Sequence, residues 1–382
     1  MNNQRIEVID ALRGYALMGL FLIHMVEYYE VYWLDPIPHA LNTAMFAIFG
    51  GKAYAMFALL FGVSFYIILN NHMVKGVDFR LRFLWRLILL FVLGTLHGLI
   101  YGGDILQVLA ICGLLLIPLW SASNRTIFII GVLFLLQLPA WGLIAFINQS
   151  DIQYSQPFFL MFPEVLRTYA EGSFTDLIAI NSFQGDARKW LFMWESGRLW
   201  TICGLSMLGF VLARLHFLSS YEQKKNTFHI SLVCVVVAYI ALHFSEDLIA
   251  SIPHNPKTHG LYLGIFDAYK NLVLTFASVL LFIILYHTFL QKILRYLAMP
   301  GRMTLSVYVS QSLICVPLYY GFGLGGWSFI GQTNSVLLGI ALWIMQIFIA
   351  VWWFKNFRYG PLEWLWRAGT YTTWNVPFKL KK

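Results

Sequence analysis

The sequence predicts an all-α fold, a polytopic membrane helix bundle of about ten transmembrane helices. The chain has 382 residues, of which 59% are hydrophobic and only 12% are charged, and its mean hydropathy is +0.68. Average proteins carry about 25% charged residues. Apolar runs of about 20 residues, the length that crosses the hydrocarbon core of a bilayer, recur along the chain. We therefore expect a single transmembrane domain over residues 1–382 and no soluble domain.

The apolar runs place the ten expected spans along the chain. They cover residues 12–32, 50–70, 84–101, 105–121, 126–147, 190–212, 228–246, 261–287, 303–321 and 334–354. Residues 148–189 are polar and aromatic, with an amphipathic piece near 160–180. This segment predicts an extracytoplasmic loop that lies on the membrane surface. In the second span, Gly62 is expected at a close helix contact rather than at a ligand site.

The distribution of charge predicts the orientation of the bundle. If the N-terminus is cytoplasmic, 19 of the 26 lysines and arginines fall in cytoplasmic segments, and 13 of the 18 acids fall elsewhere. Cationic loops remain in the cytoplasm, so both termini are predicted there. The net charge of +8 is scattered over helix ends and does not indicate a nucleic-acid partner. The four cysteines lie in apolar runs without metal-ligand spacing, so neither disulfides nor a metal are expected.

Two ionisable residues, Arg13 and His24, stand in the first apolar run. Eleven residues of α-helix turn about 20° past three full turns and advance roughly 16 Å, so both side chains are expected on one face. Ionisable residues inside a membrane are costly and usually functional. A cation at the mouth and an imidazole deeper in the bilayer indicate a reaction site reached through the membrane. In the alternative interpretation, Arg13 snorkels to the interface and His24 caps the far end of the helix.

A second polar cluster lies where the third and fourth spans meet. The short turn that contains Gly102 and Gly103 is expected to bring His97 and Asp104 together at the outer mouth of the bundle. A carboxylate beside a histidine fixes the imidazole tautomer and raises its basicity, as a general base requires. The pair is therefore a candidate catalytic base, and the alternative is a hydrogen-bonded structural pair.

Two further pairs are candidate substrate-binding residues. Glu195 and Arg198 in the sixth span are spaced i,i+3, which places them on one helix face. The alternative is that the two charges are buried together and neutralise each other. Tyr308 and Gln311 in the ninth span have the same spacing. Their alternative role is to hydrogen-bond neighbouring helices inside the bundle.

Five blocks of the sequence resemble the YeiB-type membrane proteins, and the resemblance runs over nearly the whole chain. The blocks are DALRG at 10–14, LFGVSF at 60–65, GGDIL at 102–106, GRMTLSVYVSQS at 301–312 and RYGPLEWLWR at 358–367. They define a YeiB-type core within 1–121 and a C-terminal YeiB-type block at about 200–370. YeiB-type proteins are grouped with the transmembrane acyltransferases. These include bacterial O-acyltransferases of cell-surface sugars and the lysosomal heparan-glucosaminide N-acetyltransferase.

The resemblance implies a donor site for acyl-CoA, with acetyl-CoA as the first expectation. In the O-acyltransferases, an arginine followed by ten residues and a histidine marks the first span, and Arg13 and His24 match that spacing. Acyl-CoA is made in the cytoplasm, so its phosphates would contact Arg13 together with Arg82, Arg86 or Arg302. The enzyme would lie in the bacterial cytoplasmic (inner) membrane.

The resemblance also implies an acceptor on the other side of the membrane. The acceptor would be an extracytoplasmic sugar or glycolipid of the cell envelope. His24 would act as the general base or accept the acyl group itself. His97 and Asp104 would orient the acceptor or serve as the alternative base. The other expected partners are the lipid bilayer and a second copy of the chain in a homodimer.

Two other functions are compatible with the sequence. A transporter or flippase for a small solute or glycolipid predicts inverted repeats and helices broken by Gly or Pro near the midplane. Pro118, Pro139 and Pro317 lie in predicted spans, but they form no matched pair in two halves. A non-catalytic scaffold does not explain several costly intramembrane charges. Acyl transfer is therefore the first hypothesis, and transport is the alternative.

Overall fold

The computed structural model describes residues 7–150, 157–250 and 257–380, and the fold in these ranges is all-α without a β-strand. The α-helices are α1 (Glu7–Val26), α2 (Ala40–Ile48), α3 (Ala53–Met73), α4 (Arg80–Gly98), α5 (Leu106–Leu119), α6 (Asn124–Leu135), α7 (Leu138–Gln149), α8 (Pro157–Glu171), α9 (Phe174–Ile180), α10 (Asp186–Glu195), α11 (Arg198–Arg214), α12 (Lys225–Ala250), α13 (His259–Tyr286), α14 (Gln291–Leu294), α15 (Ala298–Arg302), α16 (Thr304–Tyr319), α17 (Gln332–Trp353) and α18 (Pro361–Tyr371). Short 3-10 turns occur at Val31–Leu34, Phe217–Ser219, Tyr221–Gln223, Arg295–Leu297 and Gly326–Ser328. A π-helical turn at Asn181–Gly185 joins α9 to α10.

The helices confirm a multi-pass bundle. By length and composition, six helical segments of the described chain could cross a membrane, or eight if each of two bent pairs is one span. The bent pairs are α6 with α7, at 43°, and the segment Phe174–Glu195 with α11, at 69°. The shorter α5 and α16 are also apolar. Each of the ten predicted spans overlaps one of these elements, and the number that cross the membrane remains a prediction.

Helix α1 lies at the centre of the bundle. In the most apolar 18-residue stretch of α1, 78% of the residues are buried. The corresponding value for α12 is 6%, so α12 lies at the periphery. The backbones of α1 and α15 touch, because a Cβ atom at Gly301 would overlap the carbonyl oxygen of Asp10. This contact holds Arg302 beside the end of α1 that carries Arg13.

The segment 148–189, predicted as an extracytoplasmic loop with an amphipathic piece, is mostly helical in the described chain. Apart from residues 151–156, which lie outside the described ranges, it forms α8, α9, the π-helical turn and the start of α10. Helix α9 begins with a capping box in which the Ser173 and Asp176 side chains each accept from the other's backbone N–H. Val165, Leu166 and Tyr169 are buried against the core. The amphipathic piece predicted near 160–180 corresponds to α8 and α9, and the extracytoplasmic position of the segment stays a prediction.

Glycines set the packing of α3 against α11. A Cβ atom at Gly62 would overlap the carbonyl oxygen of Ser206, and one at Gly209 would overlap that of Leu59. The Ser206 hydroxyl donates a hydrogen bond to the Ala58 carbonyl oxygen across the same interface at 3.2 Å. Small residues allow such close backbone approach in membrane bundles, so the prediction for Gly62 is confirmed.

Replacing Gly62 with alanine is expected to destabilise the bundle by about 1–3 kcal/mol, because the added methyl group forces α3 away from α11. The thermal unfolding midpoint of the purified protein in detergent measures this effect. Gly142→Ala in α7 is the matched control, since nothing lies within 4 Å of a Cβ atom there. Equal midpoints for the two variants would contradict the close contact.

Candidate active site

A cavity of about 980 Å³ lies among α1, α3, α4 and α16. Its charged lining consists of four arginines and two carboxylates, namely Arg13, Arg86, Arg302, Arg358, Asp10 and Glu363. We call it the arginine cavity. Pockets that enclose small ligands span about 300–1,000 Å³, so this one is large enough for an extended substrate.

Packing and hydrogen bonds hold the arginines of the cavity in place. Arg13 donates to the Asp10 carboxylate and, at 2.9 Å, to the Ser64 hydroxyl. The Arg86 guanidinium lies 3.5 Å from the ring centre of Trp366, and that of Arg302 lies 4.0 Å from the ring of Phe354. Guanidinium groups fixed in this way are suited to binding phosphate.

Both carboxylates of the lining are already engaged. The Asp10 carboxylate pairs with Arg13. The Glu363 carboxylate accepts from the backbone N–H groups of Leu305 at 2.7 Å and Ser306 at 3.1 Å, so it caps the start of α16. The lining therefore presents an excess of positive charge, which favours an anionic ligand.

The structure brings three of the four predicted donor-site arginines together, namely Arg13, Arg86 and Arg302. Arg82 does not line the arginine cavity. Although Arg82 and Arg86 are one turn apart on α4, the Arg82 guanidinium lies 5.7 Å from the Tyr371 ring in a separate cleft. Side-chain direction, which the spacing does not fix, separates the two residues.

The predicted pairing of His97 with Asp104 is present behind Tyr308, which lines the cavity. His97 Nδ1 lies 2.8 Å from an Asp104 carboxylate oxygen, and both side chains are buried. The other Asp104 oxygen accepts from the backbone N–H of Gln107 at 3.3 Å. Since Asp104 accepts the Nδ1 proton, neutral His97 presents Nε2 as a proton acceptor. Nε2 is buried and has no hydrogen-bond partner among the described residues.

Two tyrosines lie against the ring of His97. Tyr308 lines the arginine cavity, and its ring centre is 5.1 Å from that of His97. The Tyr308 hydroxyl accepts from the backbone N–H of Ile105 at 3.4 Å. On another side, the Tyr101 ring centre is 6.1 Å from that of His97. His97 therefore lies between the wall of the cavity and a second set of polar side chains.

That second set, which we call the polar cluster, contains His24, Tyr101, Glu30 and Arg188. The Tyr101 hydroxyl lies 2.8 Å from His24 Nδ1 and 3.5 Å from the Glu30 carboxylate. Arg188 pairs with the same carboxylate at 2.8 Å, and the two side chains are only 7% and 16% exposed. His24 does not line the arginine cavity with Arg13, so their common helix does not place them in one pocket.

The backbone after α1 turns Glu30 toward this cluster. Tyr28, Tyr29 and Glu30 have φ values of 49°, 53° and 81°. Such left-handed conformations cost about 1–2 kcal/mol per non-glycine residue and are concentrated at functional sites. The turn is therefore an independent indication of function at this end of α1.

Three charged residues in this region, Glu30, Arg188 and Lys189, were not predicted from the sequence as functional residues. Lys189 is also buried, and its ammonium donates to the Gln107 side chain and, at 2.6 Å, to Asp186. The two cations lie in α10, the start of which was interpreted as part of a surface loop. The sequence did contain one signal for them: Arg188 and Lys189 are adjacent cations on the extracytoplasmic side, where few cations were predicted.

A helix break lies between the residues of one remaining predicted pair, Glu195 and Arg198. Helix α10 ends at Glu195 and α11 begins at Arg198, and the chain bends at Gly197, where φ is 68°. The assumption of one helix face for Glu195 and Arg198 was therefore wrong. The Arg198 guanidinium lies 4.8 Å from the Tyr54 ring.

Gln311 and Tyr308 are neighbours on α16, but their side chains have different contacts. Its side-chain amide donates to Gln346 of α17 at 2.9 Å, while Tyr308 faces the cavity. The alternative role, hydrogen bonding between helices, therefore describes Gln311. In the part of the chain that the structure describes, no group of three or more His, Cys, Asp or Glu side chains could hold a metal ion.

The chain is similar to uncharacterized bacterial proteins over its whole length. Uncharacterized protein YxaH of Bacillus subtilis is 26% identical, and the match covers 100% of this chain and 98% of the relative. Uncharacterized protein YeiB of Escherichia coli is 26% identical over 96% of each chain. An uncharacterized protein from the amylase 3′ region of Bacillus acidopullulyticus is 24% identical over 100% and 97%. The chain is thus similar to YeiB and YxaH over nearly its whole length.

A family described as a protein of unknown function (DUF418) matches residues 212–373. That region includes Arg302, Tyr308 and Glu363 of the cavity. Arg13 and His97 precede it, in the part that the whole-length relatives cover. No solved structure is significantly similar to the chain.

Proposed function

We propose that this YeiB-like protein is a membrane-embedded acyltransferase. It moves an acyl group, with acetyl as the first candidate, from cytoplasmic acyl-CoA to an extracytoplasmic sugar or glycolipid of the cell envelope. The arginine cavity binds the phosphates of the donor, and the polar cluster faces the acceptor. Both termini lie in the cytoplasm, in agreement with the positive-inside distribution.

The observation that carries this proposal is the place of His97. Its ring lies against Tyr308 of the arginine cavity and also packs near Tyr101 of the polar cluster. Asp104 fixes its tautomer, and Nε2 is left as a buried acceptor. A base at the junction of an anion-binding cavity and a second polar site is the arrangement that transfer between two substrates requires.

The proposed reaction uses these positions. His97 Nε2 removes the proton from the acceptor hydroxyl, and the hydroxyl oxygen forms a bond to the thioester carbonyl carbon. The carbon–sulfur bond then breaks, and the proton passes to the coenzyme A thiolate. Tyr101 and His24 are placed to orient the acceptor on the side away from Tyr308.

Replacing Arg13 with alanine is expected to weaken acyl-CoA binding tenfold to a hundredfold, because a charged hydrogen bond contributes about 1.5–3 kcal/mol. Arg13→Lys should restore binding only in part, since an ammonium cannot form the two-pronged contact of a guanidinium with phosphate. Isothermal titration of purified protein with acetyl-CoA measures the affinity.

Arg125→Ala is the matched control, because this exposed arginine lies at the start of α6 and outside the arginine cavity. Its affinity should equal that of the wild type. If Arg13→Ala binds acetyl-CoA as tightly as the wild type does, the donor site lies elsewhere.

Transport is the second candidate function, and the broken helices favour it. The breaks between α6 and α7 and between α10 and α11 touch, since Gln137 donates to the Thr201 hydroxyl at 2.9 Å. A Cβ atom at Gly197 would lie 2.5 Å from the Gln137 side-chain oxygen. Discontinuous helices that meet inside a bundle are typical of secondary transporters. Release of free coenzyme A by the protein in proteoliposomes distinguishes transfer from transport.

A further inference from the structure

A second cleft, of about 450 Å³, lies beside the arginine cavity. We call it the surface cleft. It is lined by Arg82, Arg358, Arg367, Tyr359 and Tyr371, together with polar Thr373 and Asn375. Its lining contains no carboxylate among the described residues, in contrast to the arginine cavity.

Two shared tyrosine rings hold the three guanidinium groups of the cleft. Arg82 and Arg367 lie 5.7 and 5.3 Å from the centre of the Tyr371 ring. Arg367 and Arg358 lie 5.0 and 5.8 Å from the centre of the Tyr359 ring. Their mutual repulsion favours an anion between them, and a phosphate accepts hydrogen bonds from several guanidinium groups at once.

The surface cleft lies at the boundary of the membrane-spanning part. Arg82 is in the first turn of α4, and Arg358 follows the end of α17, and both helices are long and apolar enough to cross a bilayer. From its first turn onward, α4 presents a stripe of exposed apolar side chains, namely Leu81, Trp85, Ile88, Val92 and Leu96. Exposed apolar side chains on a spanning helix contact acyl chains, and tyrosines are enriched where the headgroups begin.

Helix α18 closes the cleft on its other side. Its backbone accepts a hydrogen bond from the Trp85 indole at Gly369, at 3.0 Å. The Trp366 indole in turn donates to the Arg86 carbonyl oxygen at 2.9 Å. The cationic cleft and the apolar stripe of α4 are thus parts of one continuous surface.

We propose that the surface cleft binds the headgroup phosphate of an anionic phospholipid whose acyl chains lie along α4. Arginines that are not matched by carboxylates contact the phosphate, and the exposed stripe contacts the chains. Basic pockets beside transmembrane helices recognise anionic lipid headgroups in this way. This lipid assignment does not rest on acyl transfer, although Arg358 lines both pockets, and it reassigns Arg82 from the donor to a lipid.

Native mass spectrometry of the delipidated full-length protein in detergent tests this proposal with three probes: phosphatidylglycerol, phosphatidylcholine and coenzyme A. We expect phosphatidylglycerol to bind at least tenfold more tightly than phosphatidylcholine. The double variant Arg82→Gln/Arg367→Gln should lose that preference. Arg358→Gln, a single change at an exposed residue, should weaken it and serves as the readout if the double variant does not fold.

Arg80→Gln is the matched control, because Arg80 is exposed two residues from Arg82 but does not line the cleft. Arg80 instead pairs with Asp78 at 2.7 Å. The pKa of Asp78 falls to about 2, because Arg80 donates hydrogen bonds to its carboxylate. The control should keep the full preference for phosphatidylglycerol.

Three outcomes would overturn the lipid assignment. One is equal binding of the two lipids by the wild type, and another is the same loss in Arg80→Gln as in the double variant. The third is coenzyme A binding that depends on Arg82 and Arg367 while phosphatidylglycerol binding does not. That last result would return Arg82 to the donor site.

Discussion

Replacing His97 with glutamine is expected to lower acyl transfer by about 10²–10⁴-fold, the usual contribution of a general base. Glutamine can form hydrogen bonds but cannot take up the acceptor proton. Because His97 lies behind Tyr308 and not in the lining of the arginine cavity, acetyl-CoA affinity should stay near the wild-type value. Release of coenzyme A in the presence of an envelope extract measures transfer, and titration measures binding.

Three companion variants make this result specific. Asp104→Asn should also lower transfer about 10²-fold or more, because the amide does not fix the same imidazole tautomer. His287→Gln is the control. In the described chain, the one side-chain hydrogen bond of His287 joins its Nδ1 to the carbonyl oxygen of Ile283 one turn earlier. His24→Asn decides between the two histidines: if it abolishes transfer while His97→Gln keeps full activity, His24 is the base.

Replacing Arg188 with methionine is expected to destabilise the protein by about 3–5 kcal/mol, because it leaves the Glu30 carboxylate buried without its partner. The double variant Arg188→Met/Glu30→Gln should recover part of this loss, since it removes both charges. Thermal unfolding in detergent measures the difference. Destabilisation would also reach the active site, because Glu30 lies 3.5 Å from the Tyr101 hydroxyl.

An exposed pair provides the comparison for Arg188. Lys225 and Glu222 are 3.0 Å apart, but their side chains are 54% and 58% exposed. Exposed ion pairs contribute little to stability, so Lys225→Met should leave the unfolding midpoint unchanged. If Arg188→Met also leaves the unfolding midpoint unchanged, the Glu30–Arg188 pair is solvated in the membrane-embedded protein and does not organise the polar cluster.

Local patterns in the sequence determined the helices and one pair of the site. Each apolar run overlaps a helix or helix pair, because the bilayer requires a minimum length of continuous apolar helix. His97 and Asp104 were predicted together correctly because a turn of a few residues joins α4 to α5, and such a short connection leaves little freedom in their distance. Gly62 was predictable for a similar reason, since a glycine in a spanning helix usually marks a close contact.

Only the tertiary structure decided which distant residues share a pocket. Glu30 and Arg188 are separated by most of the first half of the chain, and they meet because a left-handed turn redirects the chain after α1 and α10 is helical. Helical periodicity predicted a common face for Arg13 and His24, and the family resemblance implied one donor site for Arg82 and Arg86, but neither fixes where long side chains point. Neighbouring helices make that choice, since Trp366 and Tyr371 of α18 draw Arg86 and Arg82 into different pockets. The sequence could therefore predict local pairs, whereas side-chain packing between distant helices determined the pockets.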